Sequence, residues 1–550
     1  SVEKNGLYLD REFNNQLLET YKPKIDAARQ AIYDLPRVKK FEKKYNQEKI
    51  DKYIQSIEDE LEELDYNDPK DKRKIASREQ KISNIKAGIF TTKKEQELIR
   101  PINLGSSVDL PALMYSEEGF HFEVIKNNES GKPSTDEETL TNLRLTIKKP
   151  DSPKAIFLDK LLELRGLEKM YKTYIEGWNE KVQDDDRLHG RFLIHGTTSG
   201  RLSSAEPNAQ QIPKTSVDPN IKLQLKAPKG TLYIASDFSQ AELRIMAHLS
   251  GDETYLNAFN SGQDPHLAIA ATKYHIPYEE ALKIYEDENH PEHKIWKVRR
   301  KQAKQIAFGL IYGIGAKLLA VKLSDPKSGI IVTPEEAQKE MDIFFGQHPK
   351  LKTFLKKQEK FLRKNGHLVS LFGRKRRLPQ IYSNDKGEEA YALRLALNFP
   401  CQSAASDMCL FGSILIYYLM RQGKLPSTKS VCLVHDANYQ ITKPENINIW
   451  SIYEMWQIYR NPLTKPYFGF QIDDVTMDME FVIGRSMAEE LPFIPGYDYK
   501  KMLEPDFSVE EYMEEHKKYK HIPISEYKKR FNKQMKQYEK DFERTHGMES

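Results

Sequence analysis

The chain is poor in cysteine. Cys401, Cys409 and Cys432 are the only three in 550 residues, and none stands in CxxC spacing. An odd number without that spacing argues against a disulfide framework or a thiolate zinc site. It fits small, reduced, buried residues in a cytosolic protein. Long apolar runs are also missing. No run approaches the roughly 18 apolar residues that a membrane span needs, so no membrane partner is expected. The opening SVEKNGLYLD has no signal-peptide core. Net charge is slight, +4 at pH 7. That neither requires nor excludes nucleic acid, because one cleft can be basic while the rest of the surface balances. The chain starts with Ser1 rather than Met, as a fragment or processed product would.

What is present describes a soluble globular protein, with 30% charged and 39% hydrophobic residues. The length calls for two or more subdomains. The most informative stretch is Arg299 to Gly315, RRKQAKQIAFGLIYGIG. At about 100° per residue, Arg300, Lys304 and Phe308 drift only about 80° around a helix and share one face, with Tyr312 following on the same side. Gly309, Gly313 and Gly315 mark where that helix loosens and stops. Two cations followed by two aromatics suit a ligand with a phosphate end and a flat ring end, such as a nucleotide. The same pattern alone also describes an ordinary amphipathic helix with a solvated basic side.

From Lys39 to Lys74, 21 of 36 residues are charged, 10 basic and 11 acidic. Ile50, Ile54, Ile57, Leu61 and Leu64 form a thin apolar stripe at helical spacing. A protruding helical pair broken near Asn67-Asp68-Pro69 is expected there. A further helix carries Leu161 to Trp178. The loop His195 to Pro213 groups small polar residues around Arg201, followed by Asn208, Gln210 and Gln211. These neutral groups suit sugar and base edges, and Arg201 suits a phosphate or a minor-groove acceptor.

Leu232 to Asp237 has the pattern of a buried strand ending on a carboxylate, and a helix follows through Leu249. Val431 to Ile441 has the pattern of a hairpin with Asp436 at its tip. Either aspartate alone would pass for a cap or turn residue. Together, from separate strands, they could hold two Mg²⁺ ions about 3.5–4 Å apart. Leu371 to Pro379 is a basic turn around Arg374. Arg394, Asn398 and Gln402 make a polar edge on an apolar helix. The stretch from Phe507 to Arg544 is expected to be an appended surface helix or tail.

The ordered set TSGRLSS…PN, DFSQAELR, RRKQAKQIAFGLIYG, LNFPCQ and VHD resembles the polymerase region of family A DNA polymerases. The resemblance implies an α+β right-hand fold with a helical thumb, an antiparallel palm sheet and helical fingers. The implied thumb is residues 1–190, with the charged insert at about 39–97. The palm would be 191–260 and 386–504, the fingers 261–385, and a helical extension 505–550. It implies template-directed addition of deoxynucleotides to a primer 3′-hydroxyl, with primer–template DNA and dNTPs as partners. Two Mg²⁺ ions, for which Mn²⁺ can substitute, would be held by Asp237, Asp436 and the backbone of Phe238. Arg300 and Lys304 would hold the phosphates, Lys304 also acting in catalysis. Phe308 would stack near sugar and base, and Tyr312 would lie at the template side. Glu242 would exclude a 2′-hydroxyl, with Gln240 beside it at the nucleotide. Arg201, Asn208, Gln211, Arg394, Asn398, Gln402 and His435 would line the primer–template. The location implied is the cytoplasm of a bacterial or phage-infected cell, or a DNA-containing organelle.

One position departs from the pattern. The family carries Glu after His-Asp, and this chain carries Ala437, so altered activity is expected. No 3′–5′ exonuclease carboxylate cluster precedes the thumb, so proofreading is not expected of this chain. A single-subunit RNA polymerase shares the Arg…Lys…Tyr-Gly helix and tolerates a small residue after His-Asp. A non-catalytic primer–template binder is the other alternative. Glu242, Phe308-Gly309 and the Gly-Arg-Leu-Ser-Ser loop favour DNA synthesis.

Overall fold

The computed structural model describes residues 2–324, 332–434, 436–460, 464–475 and 477–520. The chain divides into two compact units, one of residues 16–173 and one of residues 1–15 with 174–550. In the smaller unit the charged stretch forms two helices, α1 (Pro36–Glu62) and α2 (Lys72–Lys86). The expected apolar stripe is their seam: Ile54, Ile57 and Leu61 of α1 pack with Ile75, Ile82 and Ile85 of α2 in a cluster of their own. A second cluster belongs to α3 (Pro153–Lys169), whose Phe157, Leu158, Leu161 and Leu164 are fully or almost fully buried. There the rings of Phe120 and Phe157 stack 4.2 Å apart.

The larger unit is built on an antiparallel sheet of five strands. They are β1 (Leu232–Phe238), β2 (Lys429–Val434), β3 (Ala437–Thr442), β4 (Met479–Gly484) and β5 (Leu491–Pro492), in spatial order β5-β4-β1-β3-β2. Strand β1 is central, so it is apolar and buried along almost its whole length. Five helices matter for the site. They are α4 (Ala241–Ser250), α5 (Pro265–Lys273), α6 (His293–Ile311), α7 (Lys386–Arg421) and α8 (Val509–Lys520). Helix α6 ends as its glycines require, with Gly313 at φ +68°. Asp252, Asp264 and Asp385 each cap a helix by accepting backbone N–H groups.

Two expectations need correction. Helix α7 is long and apolar enough, by length and composition, to cross a membrane. Asn398, Gln402 and Asp407 interrupt its apolar run. Ala396, Phe399, Cys401, Ala404, Ala405 and Met408 of this helix are buried in the protein's own core. The other correction concerns α8, which is not a bare surface helix. Its Tyr512 is 1% exposed, meets the ring of Tyr497 edge-on at 4.9 Å, and donates its hydroxyl to the Pro492 carbonyl at 2.7 Å. Of the expected C-terminal helix, residues 521–550 lie outside the described residues.

Buried Tyr459 ties the helices to the sheet. Its ring meets Phe238 edge-on at 5.7 Å, and its hydroxyl lies 3.0 Å from Ser413 Oγ and accepts from Asn438 Nδ2 at 3.1 Å. Gly412 of α7 leaves room for that ring: a Cβ there would stand 2.4 Å from Tyr459 Cδ1. Gly412→Ala gains about 0.5–1 kcal/mol of helix propensity but overpacks the contact at about 1–3 kcal/mol. A net loss of stability in urea unfolding is the expected outcome.

Candidate active site

Asp237 occupies the penultimate position of β1, where the side-chain alternation that buries Ser236 and Phe238 turns it outward. Register places it directly between two neighbours, Glu480 on β4 and Ala437 on β3. Strands β2 and β3 form the expected hairpin, with half-buried Asp436 in its turn. His435 lies outside the described residues. Burial, the Asp436 charge and then the Glu480 charge push the Asp237 carboxyl up to about 7. Asp436 and Glu480 flank it from opposite sides of the strand. Asp237 has no cationic partner among the described residues, so negative charge accumulates here without compensation.

That field and the hard oxygen donors suit a divalent cation. The donor set is lean, however. Ala437 stands beside Asp237 where a third carboxylate would reach the same face, and among the described residues no group of three or more His, Cys, Asp or Glu is arranged to hold a metal. Asp237 and Asp436 are the candidate ligands brought together here, with Glu480 a further carboxylate on the neighbouring strand and the Phe238 carbonyl the donor that the resemblance implies.

The cation-and-aromatic face of α6 is intact. Phe308 and Tyr312 stack at 6.1 Å, Lys304 Nζ lies 5.8 Å from the Phe308 ring, and Arg300 Nη2 donates to Asp264 at 2.6 Å. Tyr312 donates its hydroxyl to Glu242 Oε2, and Arg201 Nη2 donates to Glu242 Oε1 at 2.6 Å. Burial and the Glu242 charge push the Tyr312 phenol up. Glu242 thus joins the polar loop, helix α4 and the end of α6 five residues after Asp237. Gln240, which opens α4 at φ +57°, has a buried Oε1 without a hydrogen-bond partner among the described residues.

One residue of this site escaped sequence reading. His266, on α5, is 1% exposed, and neither ring nitrogen has a hydrogen-bond partner among the described residues. Its ring lies 5.7 Å from that of Phe308. Burial lowers its pKa to about 4 against the pull of Asp264, and the charges of Arg300 and Lys304 push the same way as burial. Burial and the two nearby cations thus favour its neutral form. Its only sequence signal was a histidine just after a capping aspartate and a proline, which spacing alone does not connect to α6.

The expected nucleic-acid residues fall into two groups. Asn208 is committed locally, accepting from the Gln210 N–H at 3.0 Å as the cap of a short turn. Gln210, rather than Gln211, anchors the loop to β2 by donating to the Leu433 carbonyl at 3.1 Å, while Gln211 is exposed. Arg374 of the basic turn pairs with Asp407 at 2.8 Å and lies against Gly200, where a Cβ would meet its Nε at 2.1 Å. Arg394 is exposed on α7, with Asn398 and Gln402 partly buried one and two turns on. Asn398 Oδ1 and Arg201 Nε are buried without hydrogen-bond partners among the described residues.

Comparison with known proteins bears on what such a site belongs to. The family model for DNA polymerase family A matches residues 70–448. The chain belongs to that family. It is 32% identical over 319 residues to DNA polymerase I, thermostable, of Thermus aquaticus, covering 58% of this chain and 35% of that protein. It is 32% identical over 336 residues to DNA polymerase I of Pseudomonas aeruginosa, covering 61% of this chain and 33% of that protein. The match thus spans about a third of the length of these curated relatives. A solved structure, the POL domain of Pol1 from M. smegmatis in complex with DNA primer-template and dNTP, shares the fold. Its TM-score is 0.63 at 24% identity, over 89% of this chain and 68% of that one. The fold is that of a polymerase domain, mostly helical around an antiparallel sheet.

The raised Asp237 carboxyl has a measurable consequence. Its folded value of about 7 exceeds the unfolded value of about 3.9. Protonation therefore favours the metal-free fold, an advantage lost as pH rises through about 7. Mg²⁺ should raise the melting temperature more at pH 8 than at pH 6. Asp237→Asn should flatten that difference, as read by calorimetry.

Proposed function

We propose that the chain is a template-directed DNA polymerase that adds deoxynucleotides to a primer 3′-hydroxyl. The observation that carries this reading is the uncompensated Asp237–Asp436 carboxylate pair, linked through Glu242 to the Arg300–Lys304–Phe308–Tyr312 face. In this reading residues 191–260 and 386–504 form the palm, 261–385 the fingers and 1–190 the thumb, with 505–550 appended. Primer–template DNA and dNTPs are the partners, as in the complex named for the M. smegmatis relative.

Each side chain has a part. Lys304 and Arg300 draw the triphosphate to α6 by charge, and His266, whose ring nitrogens have no partner among the described residues, can donate one hydrogen bond. Phe308 offers a ring face to the sugar and base. Glu242 occupies the space a 2′-hydroxyl would need and is held there by Arg201 and Tyr312. Arg201, Arg394, Asn398, Gln402 and His435 would meet acceptors shared by all base pairs in the minor groove, checking pair geometry without reading sequence. Magnesium held by Asp237, Asp436 and the Phe238 carbonyl would activate the 3′-hydroxyl and neutralise the leaving pyrophosphate.

Ala437 leaves the metal side one carboxylate short, so a reduced or differently tuned rate, rather than none, is expected. A single-subunit RNA polymerase is the second reading, favoured only by Ala437, and a non-catalytic primer–template binder is the third. Primer extension with Mg²⁺ decides among them. The chain should extend a DNA primer with dNTPs in preference to rNTPs, and Asp436→Ala should abolish extension. In single-turnover kinetics Ala437→Glu should remain active with a changed rate. Primer-independent use of ribonucleotides, or equal activity of Asp436→Ala, would overturn the reading.

Glu242→Ala makes a separate prediction. It should admit ribonucleotides, raising rNTP kcat/KM relative to dNTP by roughly tenfold or more if the steric block costs about 1.4 kcal/mol.

A further inference from the structure

The two cations of α6 are in different states. Lys304 is exposed and has no ion pair among the described residues, whereas Arg300 is tied to Asp264. Asp264 is itself held firmly. Its Oδ1 accepts from the Leu267 N–H at 2.8 Å as the cap of α5, and its own N–H donates to Tyr278 Oη at 2.9 Å. Oδ2 takes Arg300 Nη2 at 2.6 Å, with both side chains about three-quarters covered. The Tyr285 ring lies 5.5 Å from the guanidinium. Burial works against the Asp264 charge, but the Arg300 contact and the helix N–H hold its carboxyl below the usual range.

An anion that is to bind Arg300 fully must take it from a carboxylate that cannot follow, because Asp264 is fixed by α5. We infer that Asp264 is a positioning residue that holds Arg300 in reserve and makes nucleotide binding depend on exchanging the capping carboxylate for a phosphate. The inference rests on the assignment of Arg300 to the triphosphate made above. Charge-assisted hydrogen bonds from arginine to carboxylate and to phosphate are of similar kind, so the exchange is close to balanced. Lys304, already free, makes the first contact. His266, two residues after Asp264, has ring nitrogens without a hydrogen-bond partner among the described residues, and its ring lies 5.7 Å from that of Phe308.

Removing the carboxylate charge should therefore tighten nucleotide binding, a gain that structural damage does not produce. Asn and Ser both cap helices well, so Asp264→Asn and Asp264→Ser keep the start of α5 while removing the competitor. The full chain, bound to a dideoxy-terminated primer–template, is titrated with the matching dNTP. Both variants should lower Kd roughly threefold or more, the scale of a partly buried ion pair. Arg300→Ala should raise Kd, and adding Asp264→Asn to it should produce no further change. Unchanged or weaker binding in both Asp264 variants, with melting temperatures retained, would overturn the inference while leaving the function intact. If Arg300→Ala leaves Kd unchanged, the assignment of Arg300 falls and the inference with it. A tightening by Asp264→Asn that persists in the Arg300→Ala background would show that Asp264 acts directly on the nucleotide and would also overturn it.

Discussion

The register of β1 is the constraint on which the site depends. In a strand, successive side chains point to opposite faces, so a slip of one residue against β3 or β4 would turn Asp237 into the core and Ser236 or Phe238 out of it. Burial of Leu232 and Ile234, at about 1.5–3 kcal/mol per side chain, opposes that slip. Tyr459 opposes it further by holding Phe238 from the helical side. Apolar packing thus holds a carboxylate beside Asp436 and Glu480, an arrangement that electrostatics alone would disperse. The cost appears as the raised Asp237 carboxyl.

Around this point three arginines are held in one way. Arg201 is paired with Glu242, Arg300 with Asp264 and Arg374 with Asp407, all at 2.6–2.8 Å. A lone half-buried guanidinium is costly, and a local carboxylate offsets that cost while keeping the side chain in place. Lys304 and Arg394 have no ion pair among the described residues, and their exposure explains why: a cation in water needs no protein partner. The metal side follows the opposite rule, with carboxylates left without a cation. In the proposed function, the two halves of the site serve one ligand carrying both phosphates and bound divalent ions.

Much of this was legible beforehand because it is local. Helical spacing placed Arg300, Lys304, Phe308 and Tyr312 on one face, alternation and turn chemistry marked β1 and the β2–β3 hairpin, and the apolar stripe of the charged stretch became the α1–α2 seam. What was missed is non-local. Nothing in the spacing of Asp264 and His266 tells that α5 lies against α6. The burial of Tyr512 depends on a partner carbonyl 20 residues away. The apolar length of α7 was hidden because a few polar residues interrupt a helix whose buried face is otherwise continuous.

The sequence by itself determined the chemistry on offer: two aspartates, a basic aromatic helix, a glutamate five residues after the first aspartate, and the absence of a carboxylate at 437. These follow from residue identity and short-range periodicity, which the backbone converts directly into faces and tips. Only the tertiary structure decided the electrical state of each group. Whether a carboxylate is compensated, an arginine is free or a histidine is neutral depends on what other segments bring within a few ångströms, and desolvation and Coulomb energies both grow steeply there.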